Sequence, residues 1–310
     1  MTARAFREET WEARGADGLL RRGVLTLPAG VSRARVAVLL LPAGMTYRVA
    51  PSRLYVRIAR RLAELGHACL RVDVLGLGES EGEIEPAPTR QLWGRIESGQ
   101  FVDDAVLALR SIRERGIADG VVVAGLCGGA ATALMAAARE PGLADGLILM
   151  DPVSVRSDQP GQASRVLTKS ETRHRLKEYV AKLAAPEAWR RLFARESDIR
   201  GIRNTLASFT KWLAGGGAGD ATSSANPRFT ESFGSVVARG TKQLMVFGGN
   251  TRHWHAFESL FLHAALKGRM KGESHEIVVI PEASHEFYLP EWRAALFGAI
   301  ERWLGREFPA

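Results

Sequence analysis

Cysteine is scarce: Cys69 and Cys127 are the only two in 310 residues. Two thiols cannot staple a small secreted fold, so a disulfide scaffold is excluded and a reducing cytoplasm is the expected compartment. Long apolar runs are also missing. No stretch approaches the roughly 18–20 apolar residues that a membrane span needs, and the stretch from Met1 to Glu9 lacks the apolar core of a secretory signal. There is no internal repeat, and no low-complexity segment beyond the glycine-rich run from Gly215 to Asp220. Metal-ligand clusters are lacking too. His253-Trp254-His255 has no further Cys, His or carboxylate at ligand spacing, so the sequence calls for neither a metal nor a cofactor. What remains is globular: 46% hydrophobic and 25% charged residues. The length suits one large α/β domain with an insertion, or two small domains.

The chain reads as alternating strands and helices. Residues 6–14 and 18–27 form a strand pair turned at Ala16-Asp17-Gly18. A buried strand, 35–41, is broken by Pro42-Ala43-Gly44, and an amphipathic helix after Pro51-Ser52 ends at Gly66. Strand 68–73 follows, with Cys69 inside it as a core residue. Then come a turn-rich segment, 74–82, a helix from Phe101 to Arg115, and strands at 121–125 and 146–152, the latter with Asp151 at its carboxyl end. Later pieces are a helix at 228–238, a strand at 243–247, a helix at 254–267, a strand at 276–280 and a terminal helix from Pro290 to Leu304. Such alternation implies a mostly parallel sheet with right-handed crossovers. Ligands of such sheets bind at the carboxyl ends of the strands, where Gly44, Asp73, Cys127 and Asp151 should gather.

The chemistry centres on Gly125-Leu126-Cys127-Gly128-Gly129, between a Val-rich strand and an Ala-rich helix. Strand, sharp turn and helix with a nucleophile at the apex is the context of a nucleophile elbow. The helix N-terminus favours a thiolate, the reactive form of cysteine. A thiol nucleophile needs a base, and the base needs an orienting group. His285, just past the last strand, is the expected base, and the order nucleophile, acid, histidine suits this arrangement. The orienting acid is less plain, because the loop after Phe247 carries Asn250 and Thr251 instead of a carboxylate. Asp151 can serve from the preceding strand. Asn250 is the alternative, by the Cys-His-Asn variant, with Glu258 or no acid behind it. For an oxyanion hole, the N–H of Gly128 should combine with one from the Gly44-Met45 turn.

These stretches resemble the α/β-hydrolase superfamily over essentially the whole chain, together with Asp73-Val74-Leu75-Gly76-Leu77-Gly78-Glu79-Ser80 and Ala283-Ser284-His285-Glu286-Phe287. The resemblance implies an α/β-hydrolase fold with a mostly parallel eight-stranded sheet and an inserted helical cap. The core would be 1–152 and 228–310, with cap and linker at 153–227. More closely, the chain is similar to the exosortase A system-associated hydrolases through Tyr47-Arg48-Val49-Ala50-Pro51-Ser52-Arg53, the Cys127 elbow and Ala185-Pro186-Glu187-Ala188-Trp189-Arg190-Arg191-Leu192. Those relatives are expected to have an aspartate where this chain has Asn250-Thr251. Similar Cys elbows occur in dienelactone hydrolases, polyhydroxyalkanoate synthases and the aminoacyl shuttles of nonribosomal peptide pathways. The resemblance therefore implies an acyltransferase or thioesterase acting on acyl thioesters, in specialised metabolism. A small-ester or lactone hydrolase is the alternative enzyme, and a catalytically silent binding module the alternative class.

The cap adds an expectation about partners. Three amphipathic helices, at about 171–184, 186–196 and 198–213, should follow one another without a strand. Residues 156–213 hold thirteen Lys and Arg against six Asp and Glu, which is +7 of the chain's +8. The bland reading is a solvated helix face. The sharper one is docking of an acidic acyl or peptidyl carrier protein. Nucleic acid is the competing polyanion, but no aromatic-basic motif supports it.

Overall fold

The computed structural model describes residues 5–156, 225–265 and 274–309, with side chains of the middle segment described as far as 261. The expected cap helices, the basic surplus and the cap stretch used in the resemblance lie outside these residues.

Eight strands form one sheet in the order β1-β2-β4-β3-β5-β6-β7-β8. They are β1 (Phe6–Arg14), β2 (Leu20–Pro28), β3 (Ala34–Leu41), β4 (Ala68–Val72), β5 (Ala118–Leu126), β6 (Gly146–Met150), β7 (Lys242–Gly248) and β8 (His275–Ile280). The β1–β2 and β2–β4 pairs are antiparallel, and every pairing from β4 through β3 to β8 is parallel. Strand β1 is the antiparallel edge and exposes most of its residues, with Trp11 alone fully buried. Charged side chains along that edge discourage pairing with another chain.

The central strands are apolar on both faces, as a sheet covered by helices on both sides requires. In β3, Val36, Val38 and Leu40 face one core, whereas Ala37, Leu39 and Leu41 face the other. The first core is covered by α1 (Leu54–Glu64) and by the terminal helix α7 (Pro290–Glu307). The second is covered by α3 (Val102–Glu114), α4 (Gly128–Arg139) and α5 (Pro227–Ala238). A further helix, α2 (Thr89–Glu97), was not expected from the sequence. Gly94 and Pro88 weaken its helical signature, and packing of its Ile96 with Val74 and Phe101 holds it instead.

After β7 the expected single helix at 254–267 is two pieces. A short α6 (Arg252–Phe257) runs into a π-helical stretch, Glu258–Ala265. Aromatic packing fixes α6: Trp254 and Phe257 lie 5.2 and 5.0 Å from the Phe247 ring. Phe257 in turn packs on Phe233 of α5. Where the chain leaves the core at Val155 it pairs with Ala225, where it returns. Asn226 caps α5 and donates to the Glu97 carbonyl at 2.6 Å, so α2 and both ends of the excursion meet at the carboxyl edge of the sheet.

Candidate active site

The turn between β5 and α4 holds Cys127 at φ 59°, ψ −121°, a conformation that costs a non-glycine residue on the order of 1–3 kcal/mol. The elbow glycines explain how the turn stays this tight. A Cβ on Gly125 would lie 2.3 Å from the Gly129 carbonyl carbon, and one on Gly129 would lie 2.4 Å from the Pro42 oxygen. Neither place admits a side chain. The buried Tyr55 hydroxyl stitches the same corner, donating to the Leu41 carbonyl at 2.8 Å and accepting from the Leu126 N–H at 2.7 Å. Cys127 therefore sits rigidly at the carboxyl edge, 9% exposed. Cys69, by contrast, is wholly buried inside β4, where burial pushes its thiol up to about 12.

The two other expected residues meet the elbow. Asp151 follows β6 directly, and its N–H donates to the Val246 carbonyl at 2.7 Å. One strand over, the Cys127 N–H donates to the Met150 carbonyl at 3.0 Å, so the sheet register sets thiol and carboxylate side by side. Asp151 also has a positive φ, 44°. His285 sits in the loop after β8 between two buried apolar anchors, Ala283 and Phe287. Its Nδ1 lies 2.5 Å from Asp151 Oδ2, and its ring stands close enough to the Cys127 thiol for the two to interact. An ionised carboxylate only accepts, so Nδ1 carries a proton and Nε2 is left for the sulfur.

The surroundings of Asp151 were not legible as such. Oδ1 accepts from the Thr251 hydroxyl at 2.8 Å and from the Gly248 N–H at 3.3 Å. Oδ2 accepts a second imidazole, His253 Nδ1, at 3.0 Å. The loop expected to carry the acid thus carries three donors to an acid one strand away. Burial opposes ionisation of Asp151, but hydrogen bonds from the two histidines and the charge of His285 outweigh it and hold the group at about 2. Burial likewise opposes a charge on His285, yet Asp151 and Cys127 push it up to about 10. His253 goes the other way: burial outweighs Asp151 and keeps it neutral. Thr251 had a readable signal, since a Thr ahead of an apolar-periodic stretch is an N-cap, and it accepts from the Trp254 N–H at 3.2 Å. His253, two residues on, is aimed by that cap.

The Asn250 amide donates to Glu282 at 3.2 Å on the exposed side of the loop, and the hydrogen bond to His285 Nδ1 belongs to Asp151. Glu258 begins the π-helical stretch beyond α6. The oxyanion expectation needs one correction. The Gly44 N–H turns back onto the Pro42 carbonyl at 2.9 Å, closing a three-residue turn, so it is already committed. Gly128 and Gly44 do approach closely, since a Cβ on Gly128 would lie 3.3 Å from Gly44 Cα. Of the expected donors, the N–H groups of Gly128 and Met45 remain. Asp73 is a loop clamp: buried, it pairs with the Arg48 guanidinium and accepts from the N–H groups of Arg48 at 2.7 Å and Glu79 at 3.0 Å.

Cys127, His253 and His285 open onto a cleft of about 820 Å³. Ala43, Trp93, Tyr288 and Trp292 give it an apolar and aromatic stretch, and Glu97, Glu282, Glu286 and Arg252 line it with charge. The atoms of Asp151, His253 and His285 lie within 4.8 Å of one another, near enough to converge on a cation. Their contacts are hydrogen bonds instead, with both Nδ1 atoms on one oxygen.

Eight strands, mostly parallel, with helices on both faces and a strained elbow after the fifth strand define an α/β hydrolase. Residues 36–196 match the family model Hydrolase_4, described as serine aminopeptidase, S33, and the chain belongs to that family. The family's description names a serine, and this chain carries Cys127 at its elbow. No curated protein matches the chain. Solved structures share the fold. The α/β hydrolase GrgF from Penicillium sp. is 17% identical, with 98% of this chain and 100% of that one covered and a TM-score of 0.56. An esterase from Pyrococcus furiosus is 15% identical, with coverages of 98% and 92% and a TM-score of 0.55. Dienelactone hydrolase from Anabaena variabilis is 17% identical, with coverages of 97% and 98% and a TM-score of 0.54. Among the described residues no helix is long and apolar enough to cross a membrane.

Proposed function

We propose that this α/β hydrolase is an acyltransferase or thioesterase that takes acyl thioesters through an acyl-enzyme on Cys127. The observation that carries the reading is the strained elbow thiol beside His285, which is itself held by Asp151 at 2.5 Å. The Cys127 thiolate attacks the thioester carbonyl, and the N–H groups of Gly128 and Met45 receive the oxyanion. The tetrahedral adduct collapses by breaking the bond to the departing sulfur, and the His285 imidazolium gives that sulfur its proton. The acceptor, a thiol, amine, alcohol or water, then adds to the Cys127 thioester. Its proton passes to neutral His285, and the Cys127 thiolate leaves, which restores the starting pair.

Thiol chemistry separates this reading from plain ester hydrolysis. Exchange between two thioesters is close to neutral in energy, so the acyl group can be handed to a second nucleophile instead of lost to water. The apolar and aromatic part of the cleft, around Trp93, Tyr288 and Trp292, suits an acyl chain or ring. The Anabaena and Pyrococcus neighbours support a second reading, a lactone or small-ester hydrolase working through the same acyl-enzyme. The complete Asp151-His285-Cys127 contact set speaks against a silent binding module. A reduced nucleophilic thiol fits a reducing compartment, so the proposal includes a cytoplasmic location.

Intact-protein mass spectrometry after incubation with a panel of acyl thioesters and lactones tests the reading. A mass increase equal to the acyl group, absent in Cys127→Ala and retained in Cys69→Ala, is the expected result. An adduct that persists in Cys127→Ala overturns it.

A further inference from the structure

Asp151 Oδ2 receives two imidazoles, and only one of them touches the thiol. His253 Nδ1 lies 3.0 Å from the oxygen that also takes His285 Nδ1. The two rings stand edge to face, with centroids 4.7 Å apart and planes at 82°. His253 is 6% exposed, and its own helix is pinned by the Thr251 cap and by Trp254 and Phe257 against Phe247. We propose that His253 is a positioning residue for the relay, a neutral second donor that fixes the Asp151 carboxylate and divides its pull on His285. The inference rests on the Cys127 acyl-enzyme reading and extends it to a residue outside that triad.

A carboxylate oxygen presents two acceptor directions, and both on Oδ2 are filled by N–H donors, with Thr251 and Gly248 occupying Oδ1. A carboxylate satisfied on all sides cannot rotate. With four donors sharing it, its charge is also spread rather than focused on His285. That matters because His285 must give up its proton to the leaving sulfur, and an undivided Asp151 would hold the imidazolium too tightly. His253 can play this part only while neutral. Burial drives it that way against Asp151, helped by the nearby charges of His285 and Arg252.

Two substitutions separate this role from packing. His253→Phe keeps the ring and removes the donor, whereas His253→Asn loses ring volume but sets an amide N–H where Nδ1 was. If the donor matters, Phe lowers kcat by about 10–100-fold with KM unchanged, by analogy with residues that orient a metal's ligands, and Asn restores most of it. The low-field proton of His285 Nδ1 should move further downfield in the Phe variant and return in the Asn variant. A packing role gives the reverse order, with Phe active and Asn impaired, and overturns the proposal. A second measurement needs no variant at all: nitrogen NMR of wild-type protein labelled in histidine reads the His253 tautomer. An unprotonated Nδ1, or a cationic ring at neutral pH, also overturns the proposal. Cys127→Ala run alongside keeps the two readings apart. If it retains the acyl adduct, the triad reading has failed. If it loses the adduct while the Phe variant matches wild type in kcat and in the His285 proton, only the role of His253 has failed.

Discussion

Replacing Asp151 by Asn tests the relay most sharply, because the side chain keeps its shape and loses its charge. The carboxylate accepts on both oxygens: two imidazoles on Oδ2, Thr251 and Gly248 on Oδ1. An amide can accept on one side only. With NH2 toward the imidazoles it donates to Nδ1 of both, which forces the proton of neutral His285 onto Nε2 and leaves nothing there to receive a proton from the acceptor. With NH2 toward Oδ1's place it meets the buried Gly248 N–H, and leaving one such donor unsatisfied costs about 1–3 kcal/mol. The first orientation avoids that penalty on the Gly248 side and is the one that silences the base. A wrong tautomer of this kind costs about 10⁴ in turnover in the serine-protease precedent, or between 5 and 6 kcal/mol at about 1.4 kcal/mol per decade.

The pH profile carries the second half of the test. His285 is pushed up to about 10 against its burial by Asp151 and Cys127, so the imidazolium that protonates the leaving sulfur persists until the pH passes about 10. Removing the Asp151 charge lowers that value, so the alkaline fall in acylation rate should move down toward the ordinary histidine range. Stopped-flow acylation with a chromogenic thioester, followed from pH 5 to pH 11, reads both rate and limb. A loss of less than tenfold, with the limb unmoved, would refute the assignment. So would a larger loss from Asn250→Ala, whose amide faces Glu282 instead.

Cys127→Ala and His285→Ala should be equally severe, since the two act as one unit, and Cys127→Ser should keep slow hydrolysis while losing transfer; mass spectrometry and thiol-release assays read these. Gly129→Ala puts a Cβ 2.4 Å from the Pro42 oxygen, and denaturant unfolding should show a loss of about 1–3 kcal/mol or more, as overpacking costs. Asp151 is held at about 2 against an ordinary 3.8, so its share of stability is present above pH 3.8 and is lost as pH falls through about 2. Thermal melts of wild type and Asp151→Asn should therefore converge in that window. Finally, a carrier-bound thioester should lose kcat/KM between ~0.05 and ~0.5 M salt, as the Debye length shortens from about 14 to about 4 Å, and lose more when Arg173, Arg175, Arg190 and Arg191 are neutralised; an equal response from a small thioester mimic would leave that charge without a carrier-protein role.

Most of the sheet was legible because buried parallel strands leave a blunt signature. Val121-Val122-Val123-Ala124 is apolar throughout because Val121 and Val123 face one core while Val122 and Ala124 face the other. Helix α2 was not legible. It opens after Pro88 and contains Gly94, and what holds it is contact with residues distant in sequence, namely Ile96 with Val74 and Trp93 against Gly44. The π-helical turn after α6 was hidden for a similar reason, since its apolar residues satisfy a helical period whether or not the hydrogen bonds slip by one residue.

The site divides in the same way, between what one segment announces and what two segments make together. Cys127 announces itself because an elbow needs glycines at fixed offsets, and His285 because it follows the last strand. The acid was ambiguous because the expected loop has none, and no single segment shows that Asp151 can reach across. Register brings it within reach. Cys127 N–H on the Met150 carbonyl and Asp151 N–H on the Val246 carbonyl put the carboxylate between the elbow and the β7 loop. Once the charge sits there, the residues of that loop acquire a purpose their sequence did not disclose. A buried carboxylate needs donors, and Gly248, Thr251 and His253 supply them. A second carboxylate in that loop would have repelled the first, whereas a hydroxyl, an amide and a neutral imidazole stabilise it. On this reading, the missing aspartate after β7 and the histidine two residues past the Thr251 cap are one adaptation to an acid placed after β6.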